Sequence, residues 1–242
     1  ASRPHPDRLV RKLPPELARH VEASRPRGSG SPLTRVKDPE KPPVAAKKVL
    51  PGVTIAIDPG HGGMHTGGKG RGGLLEKDVN LHVSLELQRI LESWGARVVM
   101  TRTQDRHFFN EVDDDLDRRV AIVNAARPDL FLSIHANYVA SAAPRGFEVW
   151  VPRAGGERGA SSRDLARAVL GELEGVWSSE NRGVKDDHNL RVLKGTSCPA
   201  ALVEMEFVSN PQAERQLADP ARRTQVAEAV AEAVRKWVTR RP

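Results

Sequence analysis

Residues 53–58 (Val-Thr-Ile-Ala-Ile-Asp) are almost wholly apolar up to a terminal acid, the pattern of a short strand buried on both faces. The period then changes. Val79, Val83, Leu87, Ile90, Leu91 and Trp94 recur at i, i+4, i+8 and i+11, which predicts a helix over 77–94 ended by Gly95. Residues 97–102 read as a second strand, 116–126 as a second helix closed by Arg127-Pro128, and 130–136 as a third strand. This β-α-β-α-β order predicts parallel strands joined by crossovers, hence an α/β fold. Farther along, 146–152, 190–194 and 200–208 read as strands, and 161–174, 211–218 and 221–238 as helices. No internal repeat is visible.

Residues 1–50 lack this texture. They hold nine of the eighteen prolines, two Pro-Pro pairs and a Gly-Ser-Gly-Ser run. Such a composition buries too little apolar surface to offset the entropy of ordering, so it predicts a flexible basic leader ahead of a folded domain over 51–242. Leu9, Val10, Leu13, Leu17 and Val21 fall near helical spacing, although Pro14-Pro15 interrupts them. Charge divides the chain at the same place. Residues 1–50 carry 12 Lys/Arg against 5 Asp/Glu, while 51–242 carry 26 of each. A nucleic-acid-binding domain carries its basic face on the fold itself, so this distribution argues against that class and leaves the leader as an arm for anionic polymer or a partner. No stretch reaches the roughly 18–20 apolar residues of a membrane span. The single cysteine, Cys198, excludes an internal disulfide and reads as a small buried hydrophobe.

Two histidines stand just past or near the carboxyl ends of predicted strands. The first runs into Asp58-Pro59-Gly60-His61-Gly62-Gly63, and the third carries His135 near its end, in Ser133-Ile134-His135-Ala136-Asn137. Open α/β sheets place their sites outside those ends, so the two imidazoles are expected to converge. Glu76 lies on the same helical face as Val79 and Val83, where a carboxylate needs a partner or a metal. It also fits a half-exposed first-turn Glu favoured by the helix dipole. The glycine-rich stretch Gly67, Gly68, Gly70, Gly72 and Gly73 lets the preceding loop fold back toward His61. Two His and one Glu form the open three-ligand set of catalytic zinc. Glu204 and Glu206 interrupt the apolar run 200–208; they read either as the wet face of an edge strand or as an acid beside a metal-bound water.

Four blocks stand in one order: Ile57-Asp58-Pro59-Gly60-His61-Gly62-Gly63, Glu76-Lys77-Asp78-Val79-Asn80-Leu81, Ser133-Ile134-His135-Ala136-Asn137, and Val203-Glu204 with Phe207-Val208-Ser209-Asn210-Pro211. Together they resemble the motifs of the type 3 N-acetylmuramoyl-L-alanine amidases over 53–238. The resemblance implies a single α/β domain with a mixed, mostly parallel sheet of about six strands and helices on both faces. It implies one Zn2+ per chain on His61, Glu76 and His135, with Glu204 as the acid/base. The implied substrate is peptidoglycan, cut at the amide between N-acetylmuramic acid and L-alanine. An exported monomer of the periplasm or cell wall, acting in wall remodelling or daughter-cell separation and open to an activator protein, is the matching biology.

Two features depart from the family pattern. Glu206 stands where relatives carry a small or neutral residue; strand alternation puts it on the face of Glu204, lining the groove. Only 68 residues separate His135 from Glu204, which leaves room for a reduced occluding helix over 153–180 at most. Asn137 and Asp58 are candidates for orienting ligands, and Arg182 to Lys185 for meeting acidic stem-peptide groups. His65 and His188 are weaker groove candidates. His82 is expected to face away, His107 falls in an acidic loop, and His5 and His20 fall in the leader. Rival readings are a zinc carboxypeptidase acting on stem peptides, a non-catalytic wall-binding module, and a nucleic-acid binder using the leader.

Overall fold

The computed structural model describes residues 49–240 apart from 154 and 188; the readings for the leader, His5, His20 and His188 lie outside the described residues. The elements follow as β1 (Thr54–Pro59), α1 (Glu76–Ser93), β2 (Arg97–Met100), α2 (Val112–Ala126), β3 (Leu130–Asn137), β4 (Phe147–Pro152), α3 (Gly156–Leu173), β5 (Asn181–Asp187), α4 (Arg191–Gly195), β6 (Ala200–Phe207), α5 (Pro211–Ala218) and α6 (Pro220–Thr239). The six strands form one sheet in the order β2-β1-β3-β6-β4-β5. β1 runs parallel to β2 and β3, and β3 parallel to β6; β4 meets β6 antiparallel and pairs in parallel with β5. This is the mixed, mostly parallel α/β sheet that the resemblance implies.

Alternation along the strands divides the core into two layers. Ile55, Ile57, Leu132, Ile134 and Val203 pack with Val83 and Leu87 of α1, Val169 of α3 and Val230 of α6. Ala56, Phe131, Ala200 and Leu202 point the other way, onto Val123 of α2 and Val192 and Leu193 of α4. Each fully buried aliphatic side chain contributes roughly 1.5–3 kcal/mol relative to exposure. Two helix starts are written in the sequence as Asx-Pro. Asn210 caps α5 by accepting from the Gln212 and Ala213 amides, and Asp219 caps α6 by accepting from Ala221.

One predicted strand is wrong and one strand was missed. Residues 190–194 form the short helix α4. Asp187 turns the chain there, its carboxylate accepting from the Asn189 and Leu190 amides, so Val192 and Leu193 are both buried from one helical turn. β5 (Asn-Arg-Gly-Val-Lys-Asp-Asp) has almost no apolar residue to announce it. It is an edge strand, held by its backbone pairing with β4.

The loop leaving β1 is held from below by two buried arginines. Arg119 of α2 donates to Asp58 Oδ1 (2.8 Å), Asp115 Oδ2 (2.7 Å), the Pro59 carbonyl (3.0 Å) and the His61 carbonyl (2.7 Å). Arg102 donates to the carbonyls of Pro59, Gly60 and Lys77, each at 2.9 Å. Burial lowers the Arg102 pKa to about 10 and the Arg119 charge pushes the same way. Burial alone would raise the Asp58 pKa, but the Arg119 charge and the Thr101 hydroxyl outweigh it and hold the carboxyl below its usual value. Asp58→Ala leaves a buried guanidinium short of a partner and is expected to cost about 3–5 kcal/mol in urea unfolding at neutral pH. Because folding depresses the Asp58 pKa, the stabilisation is present above the ordinary carboxylate value and fades as pH falls below about 4. An equal loss in Asp164→Ala, which cuts only an exposed pair with Arg167, would refute the role of burial.

Candidate active site

His61 sits two residues past the end of β1 with φ of 60°, a left-handed conformation uncommon for a residue with a side chain. The Arg119 bond to its carbonyl holds it there. His135 comes from β3, and Gly60 lets the two strands' ends approach: a Cβ on Gly60 would lie 2.2 Å from the His135 ring. Glu76 is the first residue of α1 and is buried. Its Oε2 accepts from the Gly68 amide (2.8 Å), and its Oε1 from the Ala136 amide (3.3 Å) and Asn80 Nδ2 (3.3 Å). Gly67, with φ of +66°, passes so close that a Cβ would lie 2.5 Å from Glu76 Oε2.

The two imidazoles close on the same carboxylate. Glu76 Oε1 lies 3.2 Å from His61 Nε2 and 2.9 Å from His135 Nδ1. One donor atom from each of the three residues falls within 4.8 Å of the others. Around a tetrahedral ion with bonds of ~2.0–2.1 Å, donors stand about 3.3 Å apart, close to the two carboxylate–imidazole distances here. Burial raises the Glu76 pKa, but hydrogen bonds from His135 and His61 outweigh it and hold the carboxyl well below its usual range. A ligand carboxylate must be ionised, and the imidazoles beside Glu76 favour that form. Two imidazole nitrogens and one carboxylate, open on one side, are chemistry that zinc accepts.

Glu204 completes the cluster from β6. The register sets it opposite His135 on one side and opposite Glu148 of β4 on the other. Its Oε2 is shielded from solvent and meets no hydrogen-bond partner among the described residues. Burial, then the charges of Glu76 and Glu148, push its pKa well above the usual carboxylate value. Glu148 itself is fully engaged, accepting from Asn137 Nδ2, Trp150 Nε1 and Arg182 Nε at 3.0 Å each.

Other predicted residues take different places. Glu206 does not line the groove: it is fully buried, accepts from the Gly146 and Phe207 amides, and pairs with Arg145 at 3.2 Å. The cause is a register shift between β3 and β6 just beyond His135, which breaks the alternation that would have put Glu206 beside Glu204. Asn137 bonds Glu148 and Asp58 bonds Thr101, Ser133 and Arg119; neither bonds a ligand side chain. Arg182 is held by Glu148 and stacks over Phe207. His65 reaches the cavity wall and bonds the Phe109 carbonyl, whereas His82 is exposed away from the site. The helix within 153–180 is α3, packed into the core layer of α1 and α6, on the face opposite Glu204. Cys198 is buried and its thiol pKa is pushed up to about 11, which makes it inert.

A cavity of about 380 Å³ opens beside the two imidazoles, walled by Val112, Leu116, Leu190 and Leu202. The exposed large apolar side chains among the described residues are Met64, Phe109, Val112 and Tyr138. All four lie on or beside the segments that carry His61, His65 and His135, which marks this edge as a binding face. Arg102, Arg119 and Glu148 were not found from sequence. Only Glu148 left a signal, as a lone acid in an otherwise apolar strand.

Comparison with known proteins places these observations in a family. The sequence profile described as N-acetylmuramoyl-L-alanine amidase matches residues 55–236. The germination-specific N-acetylmuramoyl-L-alanine amidase of Bacillus subtilis is 30% identical over 198 residues, covering 78% of this chain and 81% of that one. Other curated amidases are longer, the chain spanning 35% of one and 52% of another. Among solved structures, amidase AmiC2 of Nostoc punctiforme matches with TM-score 0.68 and 34% identity, over 78% of this chain and 98% of that one. The CwlD amidase of Clostridioides difficile, solved in complex with the GerS lipoprotein, matches with TM-score 0.71 and 28% identity, over 77% and 98%. The chain thus belongs to the type 3 N-acetylmuramoyl-L-alanine amidase family.

Proposed function

We propose that this chain is a zinc enzyme that hydrolyses the amide between the lactyl group of N-acetylmuramic acid and L-alanine in peptidoglycan. The observation that carries the reading is the convergence of His61, Glu76 and His135, with Glu204, whose Oε2 meets no partner among the described residues, one strand away. His61, Glu76 and His135 would hold the ion; zinc bound there supplies Lewis acidity toward the scissile carbonyl and the attacking water.

The remaining chemistry belongs to the chain. Glu204 takes a proton from the attacking water and returns it to the departing L-alanine nitrogen, so that hydroxide adds to the lactyl carbon and the C–N bond breaks. A raised pKa suits the second step, because the acid must hold a proton long enough to deliver it. Arg182, bonded to Glu148, offsets the second negative charge beside Glu204. Arg119 and Arg102 fix the backbone that carries His61. The apolar cavity beside the imidazoles keeps bulk water from one wall of the site.

The folded domain, 51–242, carries this activity, and the basic leader is a separate segment. Export to the periplasm or cell wall and a role in wall remodelling or cell separation follow from the substrate. A partner protein is a further part of this reading, supported by the CwlD–GerS complex. Among the described residues no helix is long and apolar enough to cross a membrane.

Mass spectrometry of digested peptidoglycan fragments tests the bond. The expected products are free stem peptide with an L-alanine amino terminus and intact muramic acid; loss of a terminal D-amino acid instead would mean a carboxypeptidase. Chelator should abolish the products and added zinc restore them.

Glu204→Gln should lower kcat by about 10²–10⁴-fold. In zinc-free protein the same variant should be the more stable at neutral pH. Folding raises the Glu204 pKa, so ionising it costs stability as pH climbs above the unfolded value of about 4.3. The stability gap should therefore close at lower pH. Urea titrations at several pH values read this, and a gap that widens on acidification would contradict it.

A further inference from the structure

The block Val208-Ser209-Asn210-Pro211 lies beyond the catalytic strand and does no chemistry in the mechanism above. It leads into α5, whose Glu214 is buried. The Glu214 carboxylate makes no ion pair among the described residues. Its bonds run to one place: Oε2 accepts from the Gly72 amide (2.8 Å) and Oε1 from the Leu74 amide (3.1 Å). A buried carboxylate bonded only to backbone amides is costly to maintain unless the segment it holds matters.

That segment is the loop that presents Glu76. Within it, the Gly70 amide bonds the Leu74 carbonyl (2.9 Å), and the Gly73 amide the Gly70 carbonyl (3.1 Å). This closed loop leaves the Gly72 and Leu74 amides directed outward, to Glu214. At its two ends it meets the ligand, since the Gly68 amide donates to Glu76 Oε2 and the Glu76 amide donates to the Gly68 carbonyl (2.9 Å). The same stretch of chain also secures the segment after His135. Ser209 Oγ accepts from the Val139 amide (3.3 Å), and Asn210 Nδ2 donates to the Ala142 carbonyl (2.6 Å) while its Oδ1 caps α5.

We propose that Glu214 is a positioning residue for the metal site, a latch from α5 that holds the glycine loop so that Gly68 orients Glu76 between the two imidazoles. Ser209 and Asn210, which follow the strand that carries Glu204, anchor the latch to the segment after His135. Metal affinity is thereby tied to the fold of the last third of the chain. Gly70 explains itself in the same terms. It avoids the left-handed region, so its backbone accepts alanine, but a Cβ there would lie 2.1 Å from Glu214 Oε1 and push the carboxylate off the loop.

The proposal rests on His61, Glu76 and His135 being the zinc site, and the test separates the two. Zinc affinity is measured by competition with a chromophoric chelator for wild type, Glu214→Gln, Gly70→Ala and the double variant. Amide hydrogen exchange of Gly68 and Gly72 is followed in the zinc-free proteins. Each single variant is expected to bind zinc about tenfold more weakly, with faster exchange at both amides and hydrolysis restored to the wild-type rate by excess zinc. The double variant should be no worse than the worse single, because both act on one latch. Wild-type zinc affinity in folded Glu214→Gln and Gly70→Ala, or unchanged exchange at Gly68, would overturn the latch. A wild type that takes up no zinc would overturn the zinc reading, and the exchange data would still decide the latch.

Discussion

Parallel pairing of β3 with β6, with His135 opposite Glu204, is the constraint on which the site depends. Neighbouring strands stand ~4.8 Å apart, so backbone hydrogen bonds alone fix His135 and Glu204 side by side. No loop conformation is needed for that pair. The antiparallel approach of β4 then adds Glu148 on the other flank of Glu204 at the same level of the sheet. Directly beyond this row the register shifts, and Glu206 leaves the face to become a buried partner of Arg145. The bulge thus leaves Glu204 and Glu148 as the acids that β6 and β4 set in this row.

His61 and Glu76 have no such ladder, because both arrive on loops. Their backbone is held by side chains. Arg119 and Arg102 donate to the carbonyls of residues 59–61, where β1 ends and the loop begins, and Asp58 and Asp115 balance one of those guanidinium charges. Burying such groups is costly, and an apolar substitute would often be as stable. Only donors, however, can fix carbonyl oxygens at a turn where His61 must sit at positive φ. Compared with such an apolar substitute, what these buried charges add is rigidity of the donor set rather than extra stability.

Much of the architecture was legible in the sequence because the core strands and helices are strongly patterned. The stripe of α1 and the apolar runs of β1, β3 and β6 stand buried as their spacing predicts. The edge went unread for a physical reason: β5 is polar and owes its existence to pairing with β4, which no local pattern records. At the site, the three converging side chains His61, Glu76 and His135 were visible because a histidine or acid at a strand end or on an apolar helical face needs a reason to be there. Arg119 and Arg102 were not, since an arginine within a polar helix or just past a strand looks like solvated charge until its carbonyl partners are known. Glu206 shows the converse: alternation was applied correctly, and a bulge that the sequence does not announce reversed the outcome.

Glu76 and Glu204 finish as the same residue type with opposite acid strength, within one cluster. Glu76 is surrounded by donors: two imidazoles, an asparagine amide and two backbone amides. Glu204 is surrounded by other carboxylates and apolar strand, and its Oε2 has no hydrogen-bond partner among the described residues. Burial acts on both in the same direction, so the neighbours decide the sign. An ionised carboxyl is fit to hold a cation, and a reluctant one is fit to carry a proton between water and a leaving nitrogen. The division of labour in the proposed mechanism therefore needs no difference in side-chain chemistry. It follows from which strand faces which loop across the end of the sheet.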